Sequence, residues 1–398
     1  MIFFKLLKIK KRTYLDYASS TPIDTKMLKM VPFLNKMSLF ANPSALHKEG
    51  LFARGIINQS RERIAKILDI QNDEILFTSS ATESNNLAIN GLIKNFLAKG
   101  IKPNEIIIFT SDLEHSSISE IFKKLKDSGI QINILKSENG IINPKDISVS
   151  ENIKVVIVSV IYVNNEIGTV QPINEISKRI RKLNKENPEI KFIFHTDASQ
   201  ASGHFSLRIP SLGVDMMTLG STKLYCQRGI GFLYKKRNLL IDPIFYGGGQ
   251  ENNLRPSTES TSLIYDFSYA LKYSQDIKEK ETKRIAEIKE YFESEIKNNF
   301  PKLSIVAEKS NRSPHISFIA IPNFDSELMV LELDARGVAV SSKSACKNEE
   351  DKELDIIKNI YGKDWGGIRF SFGRLTNKKD IKKTIKELNS VLKKYSRI

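Results

Sequence analysis

Cysteine is scarce in this chain. Of 398 residues only Cys226 and Cys346 are cysteines, and histidine occurs 5 times. Two cysteines cannot build a disulfide framework or a zinc cluster. The composition therefore predicts a reducing compartment and no metal site.

Long apolar runs are also missing. No stretch approaches the roughly 20 apolar residues that a membrane-spanning helix requires. Residues 1–11 read MIFFKLLKIKK, an apolar run too short for a signal peptide and without a small-residue cleavage site after it. We therefore expect a cytoplasmic protein that does not cross a membrane.

Acidic residues are outnumbered by basic ones. The chain has 46 Asp and Glu against 61 Lys and Arg, a net charge of +15. Such a surplus suggests nucleic acid or an acidic partner. The lysines are, however, spread over predicted helix faces rather than gathered in one basic block, so no direct nucleic-acid role is expected.

What the chain does have is a regular alternation of apolar strands with amphipathic helices. Strands are predicted near 74–78, 105–109, 132–135, 155–163, 191–195, 214–219 and 230–234, with helices between them. This alternation predicts an α/β fold with a mostly parallel central sheet, whose ligands bind at the carboxyl ends of the strands.

Near residue 265 the pattern changes. A long charged helix over 277–300 is followed by shorter strands and a closing helix. We predict a large domain over 13–264 and a smaller α+β domain over 265–398, with residues 1–12 packing near the smaller one.

Two predicted strands end in polar clusters, Thr196-Asp-Ala-Ser-Gln200 and Gly220-Ser-Thr-Lys223. A lysine for a Schiff base, an acid for a pyridinium nitrogen, and donors for phosphate and phenolate oxygens are what pyridoxal 5′-phosphate (PLP) requires. The hypothesis is that Lys223 carries PLP and Asp197 keeps its ring nitrogen protonated. Taken alone, an ordinary surface ion pair is the better interpretation.

Three further motifs follow predicted strands. Ser80-Ala-Thr-Glu83 opens a helix and could bind a phosphate or simply cap that helix. His115 could stack on a cofactor ring and carry a proton, although a lone histidine is more often structural. Val163-Asn-Asn-Glu-Ile-Gly168 offers amide donors or forms a plain turn.

Later motifs are equally open. The glycine-rich loop 247–258 could contact a phosphate or turn sharply. Cys346, beside lysines in a loop of small residues, could be a reactive thiolate, although a single cysteine is usually inert. Arg369 and Arg374 lie on opposite sides of a predicted strand unless that strand ends between them, and a buried arginine could bind a carboxylate.

These motifs occur in one order along nearly the whole chain, from about residue 13 to 376. They are Tyr14-Leu-Asp-Tyr-Ala, Ala41-Asn-Pro-Ser, Ala81-Thr-Glu-Ser-Asn-Asn-Leu-Ala, Glu114-His115, Val163-Asn-Asn-Glu-Ile-Gly, Thr196-Asp-Ala-Ser-Gln, Gly229-Ile-Gly, Gly247-Gly-Gly-Gln-Glu, Val338-Ala-Val-Ser-Ser-Lys-Ser-Ala-Cys and Ile368-Arg-Phe-Ser-Phe-Gly-Arg. The series closely resembles the NifS/IscS-like cysteine desulfurases of the class V aminotransferase family.

The resemblance implies a PLP-dependent homodimer of fold type I that removes sulfur from L-cysteine and leaves L-alanine. The sulfur would pass through an enzyme persulfide to an acceptor protein, such as an iron–sulfur scaffold or a tRNA-thiolation enzyme. Lys223, Cys346 and His115 would be catalytic. PLP would be bound by Ala81, Thr82, His115, Asn165, Asp197, Gln200, Ser221, Thr222, Lys223 and, from the neighbouring subunit, Thr258. Asn165 and Arg369 would bind the substrate carboxylate.

The chain departs from the family pattern in three places. Gly220-Ser-Thr-Lys223 stands for Ser-x-His-Lys, Arg255-Pro-Ser-Thr258 for Arg-Ser-Gly-Thr, and Lys343 for a glycine before the cysteine. Two alternatives therefore stay open. One is a PLP-dependent lyase or transaminase of another amino acid, such as selenocysteine. The other is a degenerate homologue that acts as a scaffold for sulfur acceptors.

Overall fold

The computed structural model describes residues 12–24, 40–149, 151–342 and 365–395. The chain divides into two compact units. The larger is built from the described parts of 21–164 and 169–278, and the smaller from those of 1–20, 165–168 and 279–398. The domain limits 13–264 and 265–398 stay a prediction.

Short strands and longer helices alternate through the chain, as the sequence pattern predicts. The strands are β1 (Thr13–Tyr14), β2 (Ile75–Thr78), β3 (Ile106–Ser111), β4 (Gln131–Leu135), β5 (Ser137–Glu138), β6 (Ile141–Ile142), β7 (Val155–Ser159), β8 (Lys191–Asp197), β9 (Met216–Gly220), β10 (Gly231–Lys235), β11 (Ser304–Ile305), β12 (Ile316–Pro322), β13 (Val338–Ala339) and β14 (Trp365–Ser371). The α-helices are α1 (Lys48–Leu68), α2 (Ala81–Ala98), α3 (Ser116–Asp127), α4 (Ile173–Glu186), α5 (Ile209–Leu212), α6 (Thr261–Asp276), α7 (Lys278–Asn299), α8 (Ser326–Ala335) and α9 (Lys378–Tyr395).

The larger unit is organised around a seven-stranded sheet with the strand order β2-β10-β9-β8-β7-β3-β4. Strand β10 runs antiparallel to both of its neighbours, and the pairs from β9 to β4 are all parallel. The predicted mostly parallel sheet is confirmed.

Helices cover both faces of this sheet because alternate strand residues point to opposite sides. On β3, Phe109 packs in a core with residues of α1, α4 and α6, whereas its neighbour Ile108 packs in a second core with residues of α2 and α3. All residues of β3 and β7 are buried, which explains why each strand begins with four consecutive apolar residues.

The strand predicted over 155–163 is too long. The observed strand, β7, ends at Ser159, and a turn follows in which the N–H of Asn164 donates to the carbonyl of Thr169 at 2.9 Å. Val160 and Val163 are nevertheless fully buried. The apolar run therefore reports burial beyond the end of the strand rather than a longer strand.

The smaller unit contains an antiparallel sheet with the order β11-β12-β14 and a core formed with residues of α7, α8 and α9. The closing helix is confirmed as α9, with Ile381 and Leu388 fully buried. Strand β14 ends at Ser371, so Arg369 lies on the strand and Arg374 lies beyond it.

Several predicted features lie outside the described residues, namely residues 1–11, most of the helix expected after Thr21-Pro22, and Lys343 and Cys346. Within the part of the chain that the structure describes, no helix is both long and apolar enough to cross a membrane.

Candidate active site

The polar clusters predicted at strand ends meet at one edge of the large sheet. Asp197, the last residue of β8, pairs with Thr218 on β9, and β9 ends two residues later at Gly220. A single 3₁₀ turn, Ser221–Lys223, follows directly. Because parallel strands present their carboxyl ends at the same edge, Asp197 and the Lys223 turn are neighbours there.

Helix α2 begins at the same edge. Gly220 pairs with Gly231 on β10, and Gly231 pairs in turn with Thr78 at the end of β2. A Cβ added to Gly220 would lie only 3.0 Å from the Cβ of Ala81. Glycine, where the resemblance leads one to expect serine, thus permits the close approach of strand β9 and helix α2.

The first turn of α2 offers backbone donors. The hydroxyl of Ser80 accepts the N–H of Glu83 at 3.1 Å, and its carbonyl accepts the N–H of Ser84 at 3.0 Å. Helix geometry leaves the N–H groups of Ala81 and Thr82 for another acceptor. An anion such as a phosphate suits that position.

The Asp197 carboxylate is buried and its orientation is fixed by two donors. Its Oδ1 accepts the N–H of Ser199 at 2.9 Å, and its Oδ2 accepts the Asn85 amide at 2.9 Å. Gln200 is also buried at this edge, in the turn that follows β8.

Two buried titratable groups lie near Asp197. Burial raises the pKa of Glu114 to about 8, and the negative charge of Asp197 acts in the same direction. Burial lowers the pKa of His195 to about 4, against the opposing effect of Asp197. At neutral pH Glu114 is therefore mostly protonated and His195 is neutral.

His115 caps α3 rather than lying inside it. Its Nδ1 accepts the backbone N–H of Ser117 at 3.1 Å. This contact fixes the imidazole at the start of the helix. Stacking of His115 on a cofactor ring stays a prediction.

Sequence reasoning missed Ser199, which lies between two residues that it did select. The Oγ of Ser199 is buried, has no hydrogen-bond partner among the described residues, and lies 3.6 Å from the position of a Cβ on Gly220. Asn85 was missed as well, although it lies within the quoted motif that opens α2. Ser199 could have been selected because its hydroxyl lies two residues after Asp197. Asn85 could have been selected because it lies one helical turn after Ala81 on the same face of α2.

Thr258 lies exposed on the loop between β10 and α6. Two residues of this loop bind neighbouring elements of the larger unit. Arg255 Nε donates to Glu83 Oε1 on α2 at 2.9 Å, and Glu251 accepts the N–H of Phe77 on β2 at 2.9 Å. The backbone of Ser257 has a φ of 99°, a conformation that favours glycine. Glycine is the residue that the resemblance leads one to expect there.

Arg369 and Asn165 are brought together in the smaller unit. The guanidinium of Arg369, a residue only 2% exposed, donates from Nη1 to the carbonyl of Asn165 at 2.8 Å. Its Nη2 donates to Asp16 Oδ1 at 2.8 Å and to Ser19 Oγ at 2.6 Å. Its Nε is buried and has no partner among the described residues, so one donor stays available for a carboxylate.

The edge of the large sheet fits PLP. It offers a lysine, a buried carboxylate, the N-terminus of an 18-residue helix and a buried hydroxyl without a partner. These groups match the aldehyde, ring nitrogen and phosphate of PLP, and the sheet that presents them is that of fold type I. Fold and site together define a PLP-dependent enzyme.

Comparisons with known proteins agree with this class. The family model of the class-V aminotransferases matches residues 13–384. The cysteine desulfurase IscS of Dictyoglomus turgidum is 34% identical over 98% of this chain and 97% of its own length, and that of Ehrlichia chaffeensis is 32% identical over 97% and 92%. The NifS-like protein of Rickettsia africae, a solved structure, is 27% identical with a TM-score of 0.83, covering 96% of this chain and 100% of its own. The chain therefore belongs to the class-V aminotransferase family, within its NifS/IscS-like group.

Proposed function

We propose that this protein is a cysteine desulfurase that converts L-cysteine to L-alanine and retains the sulfur as a persulfide on Cys346. The observation that carries the proposal is the meeting of Asp197, Lys223 and the start of α2 at one sheet edge. Full-length similarity to proteins named cysteine desulfurase supports the choice of substrate.

Each residue has a role that follows from its chemistry. When bound, PLP supplies a ring that accepts electrons from the substrate. Asp197 would face the ring nitrogen, Gln200 the phenolate oxygen, and Ala81, Thr82, Ser221 and Thr222 the phosphate. Lys223 would hold the cofactor and then, once released, move the Cα proton of the substrate.

The sulfur step is balanced by the substrate itself. The Cys346 thiolate forms a bond to the substrate sulfur while the carbon–sulfur bond breaks, and the carbon receives a proton. One thiol and one cysteine thus give one persulfide and one alanine, with no external oxidant. Arg369 and Asn165 would hold the substrate carboxylate during this step.

The decisive experiment compares the two cysteines. Cys346→Ala should abolish sulfide release from L-cysteine in the presence of a thiol reductant, while the visible absorbance of bound PLP persists. Cys226, which is buried with its Sγ 3.6 Å from the Ser221 carbonyl, is the matched control. Cys226→Ala should retain most of the activity.

The same assay separates the alternatives. A transaminase would form a keto acid without depending on Cys346, and a selenocysteine lyase would release selenide far faster than sulfide. A scaffold would lack the visible absorbance band of the bound cofactor. Any of these results would overturn the proposal.

The proposal includes a homodimer in which Thr258 contacts the PLP phosphate of the partner subunit. The exposure of Thr258, together with exposed apolar side chains near the start of α1, supports it: Phe40, Leu46, Leu51 and Phe52. Light scattering should give twice the chain mass of 45.2 kDa. A monomer that binds PLP with full affinity would contradict this part of the proposal.

The acceptor in the proposal is an iron–sulfur scaffold or a tRNA-thiolation enzyme, and the site of action is the cytoplasm. Transfer of labelled sulfur from L-cysteine to each purified acceptor would distinguish the two. The fraction of a cell that contains the native protein would test the location.

A further inference from the structure

A network of hydrogen bonds links Asp197 to His115 through the side chains of Asn85 and Ser117. Asn85 is fully buried on α2. Its Nδ2 lies 2.9 Å from Asp197 Oδ2 and 2.9 Å from Ser117 Oγ. The amide nitrogen faces Asp197, and its two hydrogens serve the two partners.

The second part of this hydrogen-bond network joins Ser117 to the imidazole of His115. The Nδ1 atom of His115 lies 3.1 Å from the backbone nitrogen of Ser117 and 2.9 Å from the Ser117 hydroxyl. A backbone N–H only donates, so Nδ1 is an acceptor and the proton of the neutral ring sits on Nε2. The Ser117 hydroxyl accepts from Asn85 and can therefore turn its own hydrogen toward Nδ1.

We propose that Asn85 is a positioning residue that acts on both partners of the cofactor ring. Its amide orients the Asp197 carboxylate and, through the Ser117 hydroxyl, adds a second donor to Nδ1 of His115 beside the backbone N–H of Ser117, which supports the Nε2–H tautomer. The inference deepens the proposed function: it rests on that proposal for the role of Asp197, and on the predicted stacking of His115 for the role of the imidazole.

The opposite end of the Asn85 side chain supports this assignment. Its Oδ1 is buried without a hydrogen-bond partner in the described ranges of the chain. An unsatisfied carbonyl oxygen destabilises the folded state, so packing alone would favour an apolar residue of similar volume, such as leucine. The two hydrogen bonds donated by Nδ2 explain why an amide occupies the position.

The adjacent residue provides a matched control. Asn86 is half-buried on the same helix, and its Nδ2 donates at 2.9 Å to the carbonyl of Thr82 one turn earlier. It makes an ordinary contact within the helix. Substitution of Asn86 therefore tests for general effects of losing an asparagine from α2.

The first test reads the histidine directly in the PLP-free protein. Full-length chains carrying Asn85→Leu, Ser117→Ala or Asn86→Ala are labelled with ¹⁵N-histidine, and the signal of His115 is assigned by its loss in His115→Gln. In the wild type and Asn86→Ala, long-range ¹H–¹⁵N spectra should show Nε2 protonated and Nδ1 unprotonated. In Asn85→Leu and Ser117→Ala the ¹⁵N signal of Nδ1 should shift, because the Ser117 hydroxyl is released or lost as a donor while the backbone N–H of residue 117 keeps Nδ1 unprotonated. An unchanged His115 spectrum in both variants would overturn the inference.

The second test separates the two arms. Titration with PLP, followed by visible absorbance, should show about a tenfold loss of affinity in Asn85→Leu, since one hydrogen bond to a charged group is lost. Ser117→Ala keeps the bond between Asn85 and Asp197, so its affinity should stay within about twofold of the wild type. Equal losses of PLP affinity in the two variants would overturn the proposal that Asn85 orients Asp197.

These readouts do not depend on sulfur chemistry. A shift of the Nδ1 signal in the variants with no sulfide release from the wild type would refute the proposed function and keep the hydrogen-bonded network. Sulfide release with no shift of the Nδ1 signal would do the reverse. Ser117 is half-buried, so Ser117→Ala keeps the first test decisive should Asn85→Leu fail to fold.

Discussion

The two units of this protein hold a buried charge in opposite ways. In the larger unit the Asp197 carboxylate is held by neutral donors, the N–H of Ser199 and the amide of Asn85. In the smaller unit the Arg369 guanidinium is held by a carboxylate, Asp16, with neutral oxygens beside it. Asp197 therefore has no cationic partner among the described residues, whereas Arg369 already has an acidic one.

The largest effect is expected when the unpaired acid is neutralised. Asp197→Asn keeps the shape but removes the charge that faces the PLP ring nitrogen. We expect kcat/KM for L-cysteine to fall by about 100- to 1000-fold. The control is Asp215→Asn, because Asp215 also accepts a backbone N–H, that of Phe194 at 3.1 Å, but precedes β9 at the other edge of the sheet. Equal losses of kcat/KM in the two variants would contradict a role of Asp197 at the cofactor ring.

A smaller effect is expected when the paired cation is changed. Arg369→Gln removes a charge-assisted contact to the substrate carboxylate, so the KM for L-cysteine should rise by about 10- to 100-fold and exceed any change in kcat. The control is Arg312→Gln, since the Arg312 side chain is only 6% exposed in the smaller unit and binds Glu293 with two bonds of 2.7 and 2.9 Å. That variant should lose stability with little change in KM. An unchanged KM in Arg369→Gln would contradict a role in substrate binding.

The third prediction concerns stability and pH. The pKa of Glu114 is raised from 4.5 to about 8, so between these values the folded protein keeps a proton that the unfolded chain has lost. This contribution to stability is complete below pH 4.5 and declines as pH rises toward 8.

Glu114→Gln removes this titration and keeps an oxygen for the N–H of Ile161. Relative to the wild type, its free energy of unfolding should rise by about 3–4 kcal/mol between pH 5 and pH 8, as measured by urea denaturation. A difference that does not vary with pH would show that Glu114 is ionised when folded.

The smallest effect is expected at Ser199. Its hydroxyl is buried without a partner in the described chain, so Ser199→Ala should not destabilise the PLP-free protein. If the hydroxyl binds PLP, the dissociation constant should increase by about fivefold, the effect of one neutral hydrogen bond. Ser202→Ala, on a buried hydroxyl that donates to the Ser199 carbonyl at 2.8 Å, provides the comparison. Wild-type affinity in Ser199→Ala would exclude this contact.

The sequence pattern predicts which polar residues meet at the sheet edge, because the alternation of strands and helices implies a parallel sheet whose strands end at the same edge. Asp197 and Lys223 were identified in this way. The reversal of β10 was not predicted, since an apolar strand reads the same in either direction. The apolar run after Ser159 was likewise misread as strand.

The contacts that complete the candidate site were harder to predict. Asn85 reaches Asp197 only because α2 packs on the sheet with a particular rotation. The pairing of Arg369 with Asp16 joins residues 353 positions apart, and no local pattern encodes that contact. Periodicity identifies which residues are buried, and packing decides which buried polar atoms meet.

The N-terminal segment has a consequence for how the protein is made. Strand β1 pairs with β13, and the N–H of Ala18 donates to the hydroxyl of Ser371, 353 positions further along the chain. At about 5–20 residues per second, a ribosome needs roughly 20–70 s to synthesise that interval. All of the larger unit lies within that interval, so Ala18 is synthesised long before its partner Ser371. A messenger truncated before the codon for Trp365 would yield a chain in which β1 can still pair with β13 but Ala18 has no Ser371 to bind, a target for proteolytic quality control.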